Sequence, residues 1–241
     1  MDLRAFSSRG DLFESLAEEL IEDVRGTRDR ADGFAWALAG GTTPRGFYEL
    51  LAQSGFAGRL DAERMHWFWG DERAVPPDDP ASNFGMAKAS LLDHLDVDPS
   101  RVHRMHGELP VEFAAEQYEA MLRRRAADRP DRPLFDWVLL GLGTDGHTAS
   151  LFPEGAWFDD RESWVRAEQD RHGNGRITLT PEALGRARRV VFLVTGADTA
   201  EVLRTVVEGP LRPTCWPAQA GARGPAPVSF RVDAAAAALL R

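Results

Sequence analysis

Short apolar runs alternate along the chain with longer stretches of helical period. Leu3–Phe6, Gly33–Leu38, Met65–Trp69, Phe135–Leu140, Arg176–Leu179, Val190–Val194 and Val228–Val232 have the length and side-chain character of strands. Between them, Leu12, Leu16, Leu20 and Val24 recur on one helical face behind Asp11, which is expected to cap that helix. Pro44 suits the first turn of a helix over Arg45–Gln53. Further helices are expected over Asn83–His94 and Val111–Ala127, with a brief turn at Pro181–Leu184. Asp198 is expected to cap a helix running through Val207, and Asp233 a last Ala-rich one. This alternation predicts a Rossmann-like α/β fold, a mostly parallel sheet with helices on both faces. Segments 155–175 and 209–227, rich in Gly, Pro and charge, read as loops or small excursions inside one domain spanning residues 1–241. There is no internal repeat or heptad run.

Composition narrows the choice of partner. The 241 residues are 43% hydrophobic and 28% charged, ordinary for a soluble globular protein and ample for a core. A net charge of −9 argues against a general nucleic-acid or membrane-surface binder, while leaving room for a local anion site. Cys215 is the sole cysteine, which rules out an intramolecular disulfide and a Cys-based zinc site. The amino terminus lacks the pattern of a signal peptide, and no apolar run has the length of a membrane span, so a cytoplasmic location is expected. Lys88 is the only lysine among 29 basic residues, so arginine carries almost all the positive charge.

The polar residues of interest fall just after strand candidates: GGTTP at 40–44, GDER at 70–73, GLGTDGHT at 141–148 and GADT at 196–199. In a parallel sheet such ends lie along one edge, where ligands bind. Gly40, Gly41, Thr42 and Thr43 offer donors for an oxyanion at a helix amino terminus, or form an ordinary N-cap. Arg73 is placed to clamp a phosphate or to pair with Asp71 or Glu72. Asn83 orients a sugar hydroxyl or caps its own helix. His147 is a proton carrier near neutral pH or a hydrogen-bonded surface residue. His103 and His106 lack a third ligand at metal spacing and read as surface or structural. Trp67 and Trp69 share a strand face and read as core, and Arg123–Arg125 as a solvated helix end. Neither a GxSxG elbow nor a P-loop is present.

Taken together and in order, GGTTP, DERAVPPDDPASNFGMAKASLL, RMHGE, LLGLGTDGHTASLFP, RITLTPEAL, VVFLVTG and VSFRVDAAAA resemble the 6-phosphogluconolactonase family over nearly the whole chain. That family shares a fold with glucosamine-6-phosphate deaminases and ribose-5-phosphate isomerases. The resemblance implies hydrolysis of 6-phosphogluconolactone to 6-phosphogluconate in the oxidative pentose phosphate pathway, with no metal and no cofactor. The partner implied is a small sugar-phosphate lactone, not nucleic acid or membrane, for a monomer or small oligomer. His147 becomes the general base that later protonates the leaving ring oxygen, and Asp145 orients the imidazole or the turn, or only caps the next segment. Arg73 becomes the phosphate clamp and Arg176 a second cation, with Gly40, Gly41, Thr42 and Asp71 around the substrate.

The turn continues Thr148-Ala149-Ser150-Leu151-Phe152-Pro153 rather than into the GFNEP-like sequence of the deaminases, which favours the lactonase. Two positions depart from the family pattern: Phe230 stands where a tryptophan is usual in the closing motif, and Thr199 where a lysine is usual, with Arg45 and Arg176 the expected substitutes for its charge. A related isomerase or deaminase, a lactonase for a less charged sugar, and a catalytically weak sugar-phosphate binder remain alternatives.

Overall fold

The computed structural model describes residues 1–222 and 224–241. In chain order the elements are β1 (Asp2–Phe6), α1 (Arg9–Arg25), β2 (Phe34–Leu38), α2 (Thr42–Leu51), α3 (Ser54–Ala57), β3 (Met65–Trp69), β4 (Asp71–Arg73), α4 (Asn83–Ser90), α5 (Val111–Ala127), β5 (Phe135–Leu140), β6 (Val165–Gln169), β7 (Gly175–Leu179), α6 (Pro181–Leu184), β8 (Ala187–Val194), α7 (Ala200–Glu208), α8 (Ala218–Ala222) and β9 (Val228–Asp233). Six strands pair in parallel in the order β1-β9-β8-β5-β2-β3. Helices cover both faces, so the α/β architecture read from the alternating pattern holds.

The central strands are apolar on both faces because both faces are covered. Along β2, Phe34, Trp36 and Leu38 join the core beneath α1, α2 and α4, whereas Ala35 and Ala37 join the core on the side of α5, α6 and α7. Strand β8 divides likewise, Val191 and Leu193 to the first core and Val190, Phe192 and Val194 to the second. Trp67 and Trp69 are fully buried in the first core, as their spacing predicts, with Trp36 and Trp67 centroids 5.7 Å apart. Phe230 is fully buried and stacks on Phe192 at 4.6 Å.

Several local expectations are corrected. Segment 155–175 is not only loop: β6 pairs antiparallel with β7, which pairs with β4 in a separate three-stranded sheet. Alternation was hidden in β6 by Arg166 and Glu168, which pair with each other at 3.1 Å, and β4 is three polar residues long. Segment 209–227 contains the short helix α8, with Ala218, Gln219, Gly221 and Ala222 buried. Helix α1 begins earlier than expected and is capped by Ser8, whose Oγ accepts from the Asp11 amide at 3.1 Å. Ser82, not Asn83, caps α4, accepting from the Gly85 amide. That helix stops at Ser90, whose hydroxyl donates to the Met86 carbonyl at 2.7 Å, and a 3-10 turn at Leu92–His94 follows. Asp198 caps nothing, because α7 starts at Ala200 without a side-chain cap. Asp233 does accept from the Ala236 amide, but the segment is one 3-10 turn, Ala236–Leu239, rather than a full helix.

Arg125 is not solvated. Its guanidinium lies over the Phe68 ring at 5.0 Å, and Nε and Nη2 are buried without a hydrogen-bond partner among the described residues. Burial pulls its pKa down to about 10. On Phe68 also stacks His103, at 4.5 Å, beside His66. The Arg101 guanidinium donates to His66 Nε2 at 3.1 Å. In the neutral ring the proton is therefore on Nδ1, which donates to His103 Nε2 at 3.0 Å. Both rings are thus held neutral. Desolvation first, then Arg125, lowers His66 to about 3 and His103 to about 4. His106 is exposed beside Glu108.

Folded values below the unfolded 6.5 mean that the unfolded chain takes up protons first as pH falls. The stability this pair contributes is complete above about 6.5 and is lost progressively toward pH 4. A His66→Gln/His103→Gln double variant should show a shallower fall of thermal midpoint between pH 7.5 and 4.5. An unchanged slope would mean that other groups govern acid sensitivity.

Candidate active site

Two tyrosines fix the strand ends from which the site is built. From α2, Tyr48 Oη accepts from the Ala39 amide and donates to the Ala39 carbonyl, both at 2.9 Å. From α5, on the opposite face, Tyr118 Oη accepts from the Trp69 amide at 3.0 Å. Each closes a strand just before a glycine, Gly40 after β2 and Gly70 after β3. Full burial pushes both phenols up, so they act only as neutral clamps. Sequence reasoning missed them, since a tyrosine inside an amphipathic helix looks like core.

Gly41 is the N-cap of α2 at φ 102°, a conformation glycine adopts at little cost, and no side chain caps the helix. The Thr42 and Thr43 amides are therefore without a side-chain cap at a helix terminus that lines the cleft, the positive end of the helix dipole. The Thr43 and Thr195 hydroxyls meet at 2.8 Å and link this terminus to the end of β8.

After β5, the Gly143 amide donates to the His147 carbonyl at 2.9 Å and closes the turn. A Cβ at Gly143 would lie 2.2 Å from His147 Nδ1, so only glycine admits the imidazole here. Asp145 Oδ1 receives His147 Nδ1 at 2.5 Å and the His147 amide at 3.1 Å. That hydrogen bond is the leading reason that Asp145 is held down at about 2. An ionised aspartate only accepts, so the Nδ1 proton stays on the ring and the Nε2 lone pair is free for chemistry. Phe152 packs on the imidazole at 5.2 Å. The Ala218 amide donates to the Gly146 carbonyl at 2.9 Å, so the segment read as loop supports the turn. Ala149, on the cleft wall, has a left-handed φ of 48°, a strained value for a residue with a Cβ.

The DER motif resolves into three roles. Glu72 is buried and accepts from the amides of Arg73, Asn83 and Phe84 at 2.7–2.8 Å and from Ser82 Oγ at 3.1 Å. Burial pushes its pKa up, against these bonds. Asp71 accepts from Ser150 Oγ at 2.7 Å and from Asn83 Nδ2 at 3.2 Å. Arg73 pairs with neither acid; its Nη1 donates to the Ala81 carbonyl at 2.5 Å.

These parts enclose a cleft of about 420 Å³ at the carboxyl ends of the parallel strands. Gly40, Gly41, Thr42, Asp71, Arg73 and His147 all line it. Asp145 does not, standing behind His147. Asn83 lines it too, but its amide is engaged with Asp71. Arg176 is not on the cleft; it pairs with Asp170 at 2.8 Å on β7. Arg45 pairs with Glu49 at 2.9 Å and also lies outside. The Thr199 hydroxyl donates to the Gly196 carbonyl at 2.8 Å and is spent on its own turn. Neither expected substitute therefore brings a charge to Thr199's side. Arg9, which sequence reasoning passed over, lines the cleft. A larger groove of about 1010 Å³ between α4 and α5 is bordered by Leu92, Val102 and Met121 together with Arg104, Arg124, His103 and His106, and lies away from the carboxyl-edge turns.

An open parallel sheet with uncapped helix amides, arginine and an aspartate-held histidine at its carboxyl edge defines an α/β protein with its candidate site at the strand ends. The chain belongs to the family described as glucosamine-6-phosphate isomerases/6-phosphogluconolactonase, which it matches over residues 7–226. It is 38% identical over 182 residues to a 6-phosphogluconolactonase of Haemophilus influenzae, covering 76% of this chain and 77% of the relative. A crystal structure named devB protein superposes with TM-score 0.89 at 30% identity, covering 100% of this chain and 99% of that one. The 6-phosphogluconolactonase of Trypanosoma brucei follows with TM-score 0.84 at 26% identity, covering 100% and 98%.

Glu72→Ala would strand the Asn83 and Phe84 amides and free the Arg73 backbone. It should cost at least about 2 kcal/mol in urea unfolding, since a buried unsatisfied donor costs about 1–3 kcal/mol. A loss under about 0.5 kcal/mol would show the carboxylate to be dispensable.

Proposed function

We propose that the protein hydrolyses 6-phospho-D-glucono-1,5-lactone to 6-phosphogluconate, with His147 as general base. The observation that carries this reading is the Asp145-held imidazole on the same cleft as the open α2 amides and Arg73. The 6-phosphogluconolactonase relatives support the substrate, placing the reaction in the oxidative pentose phosphate pathway.

A water between Nε2 and the lactone carbonyl loses its proton to the ring as its oxygen bonds to C1. The carbonyl oxygen becomes an oxyanion, for which backbone amides of the 141–147 turn are the nearby donors. Asp145 stabilises the imidazolium so formed through the Nδ1 bond. When the tetrahedral species collapses, the C1 to ring-oxygen bond breaks and Nε2 returns its proton to the leaving oxygen. The ring is then neutral again, and the product acid ionises in water. Arg73 and the α2 terminus take the phosphate, whose dianion suits a guanidinium fork and helix amides.

Activity on freshly generated 6-phosphogluconolactone, above its spontaneous hydrolysis, is the direct test; a clear preference for unphosphorylated gluconolactone would overturn the reading. His147→Ala should lower kcat by ~100- to 10,000-fold without unfolding the protein, the usual worth of general acid–base catalysis. Near wild-type turnover would remove His147 as the base. Arg73→Ala should act mainly on KM for the phosphorylated lactone, roughly tenfold or more, as expected for a charge-assisted hydrogen bond. A matching loss on gluconolactone would assign Arg73 to the sugar or to the fold instead.

A further inference from the structure

Among the described residues, two permanently charged cations line the cleft, Arg73 and Arg9. They come from opposite ends of the strand order, Arg73 from β4 beyond β3 and Arg9 from the start of α1 beyond β1. Arg73 already gives one donor to the Ala81 carbonyl. Arg9 is the first residue of α1, exposed, and its one recorded contact is the Phe13 ring, 6.0 Å from the guanidinium carbon. Phe13 in turn packs against Phe47 of α2 at 5.8 Å, so Arg9 stands on the aromatic bridge between the two helices. Among the described residues it has no carboxylate partner, in a chain with 38 acidic residues. Arg45 and Arg176, by contrast, are both tied to carboxylates away from the cleft.

The flank of the cleft after β8 offers no charge of the right sign. Thr199 spends its hydroxyl on Gly196, and Asp198, also on the cleft wall, is an acid. A dianion at the open α2 terminus would meet this acid unless a cation from the β1 side opposed it. We propose that Arg9 is the second cationic arm of the phosphate seat and sets the preference for a 6-phosphorylated substrate. The assignment rests on the lactonase reading above. Its exposed position gives the guanidinium freedom to turn from the Phe13 ring to the phosphate, presenting two donors at a charge that persists at any working pH.

The test compares wild type, Arg9→Ala and Arg9→Lys on 6-phosphogluconolactone and gluconolactone, with 6-phosphogluconate affinity measured by calorimetry in parallel. Arg9→Ala should lower the kcat/KM ratio of phosphorylated to unphosphorylated lactone about tenfold, through KM, the size expected of one charge-assisted hydrogen bond. Arg9→Lys should recover part of that ratio. A wild-type ratio in Arg9→Ala, or equal losses on both lactones, overturns the assignment while leaving the lactonase reading intact. If the wild type turns over neither lactone, the lactonase reading falls. The phosphate arm is then decided by binding alone: about tenfold weaker 6-phosphogluconate affinity in Arg9→Ala upholds it, and unchanged affinity overturns it.

Discussion

The cleft depends on two carboxylates that never reach solvent freely, Asp71 and Glu72. Between them they hold the start of α4, the Arg73 backbone and Ser150 of the histidine turn. Buried acids are costly unless fully hydrogen-bonded; here Glu72 takes three backbone amides that would otherwise be stranded, and Asp71 takes the side chains of Ser150 and Asn83. The cost of burial and the need for an acceptor are thereby met together. The same corner starts the antiparallel sheet, since Asp71 and Arg73 pair with Thr178 and Arg176 on β7. The Ser150 amide donates to Thr178 Oγ1 at 3.1 Å, which returns the histidine turn to that sheet. The small sheet therefore acts as a brace that couples the end of β3 to the end of β5.

A chain with net charge −9 attracts an anion by local means. The α2 terminus has no side-chain cap, and Arg73 and Arg9 line the same cleft. Several of the acids are committed to arginines away from the cleft. Glu19 and Asp2 neutralise the buried Arg231 of β9, and Asp32 and Asp136 neutralise Arg30. Segregation of ion pairs away from the carboxyl edge leaves that edge with its own electrostatic character, which the average over the chain conceals.

Strands β2, β3, β5 and β8 were legible because burial on both faces makes them continuous apolar runs ending at glycine. The motifs that follow them were legible for the same reason, as polar groups after a glycine at a strand end. What stayed hidden depended on contacts distant in sequence. Strand β6 shows charge where its neighbours are apolar, and its pairing with β7 is what makes it a strand. Ser8 and Ser82 won the capping positions from Asp11 and Asn83 by one to three residues, an offset that propensity alone does not resolve. Tyr48 and Tyr118 look like helix core until their hydroxyls are seen on strand backbones. Arg9 was hidden by that same shift of the helix start, in a Ser-Ser-Arg-Gly stretch that carries no motif. Arg176, conspicuous by its place in RITLT, is drawn off by Asp170.

The pairing of β1 with β9 has a consequence for how the molecule assembles. Asp2 lies beside Ser229 in that ladder, so the first strand has no neighbour until the last has been made. Joining them closes a loop that takes in almost the whole chain, among the contacts least favoured early in folding. During synthesis, β2, β3 and β5 can meet and establish most of the cleft while β1 waits at the margin. The edge strand is then the last to be added, whereas Arg9, carried on α1 and held by Phe13 against Phe47 of α2, does not depend on that pairing for its place on the pocket wall.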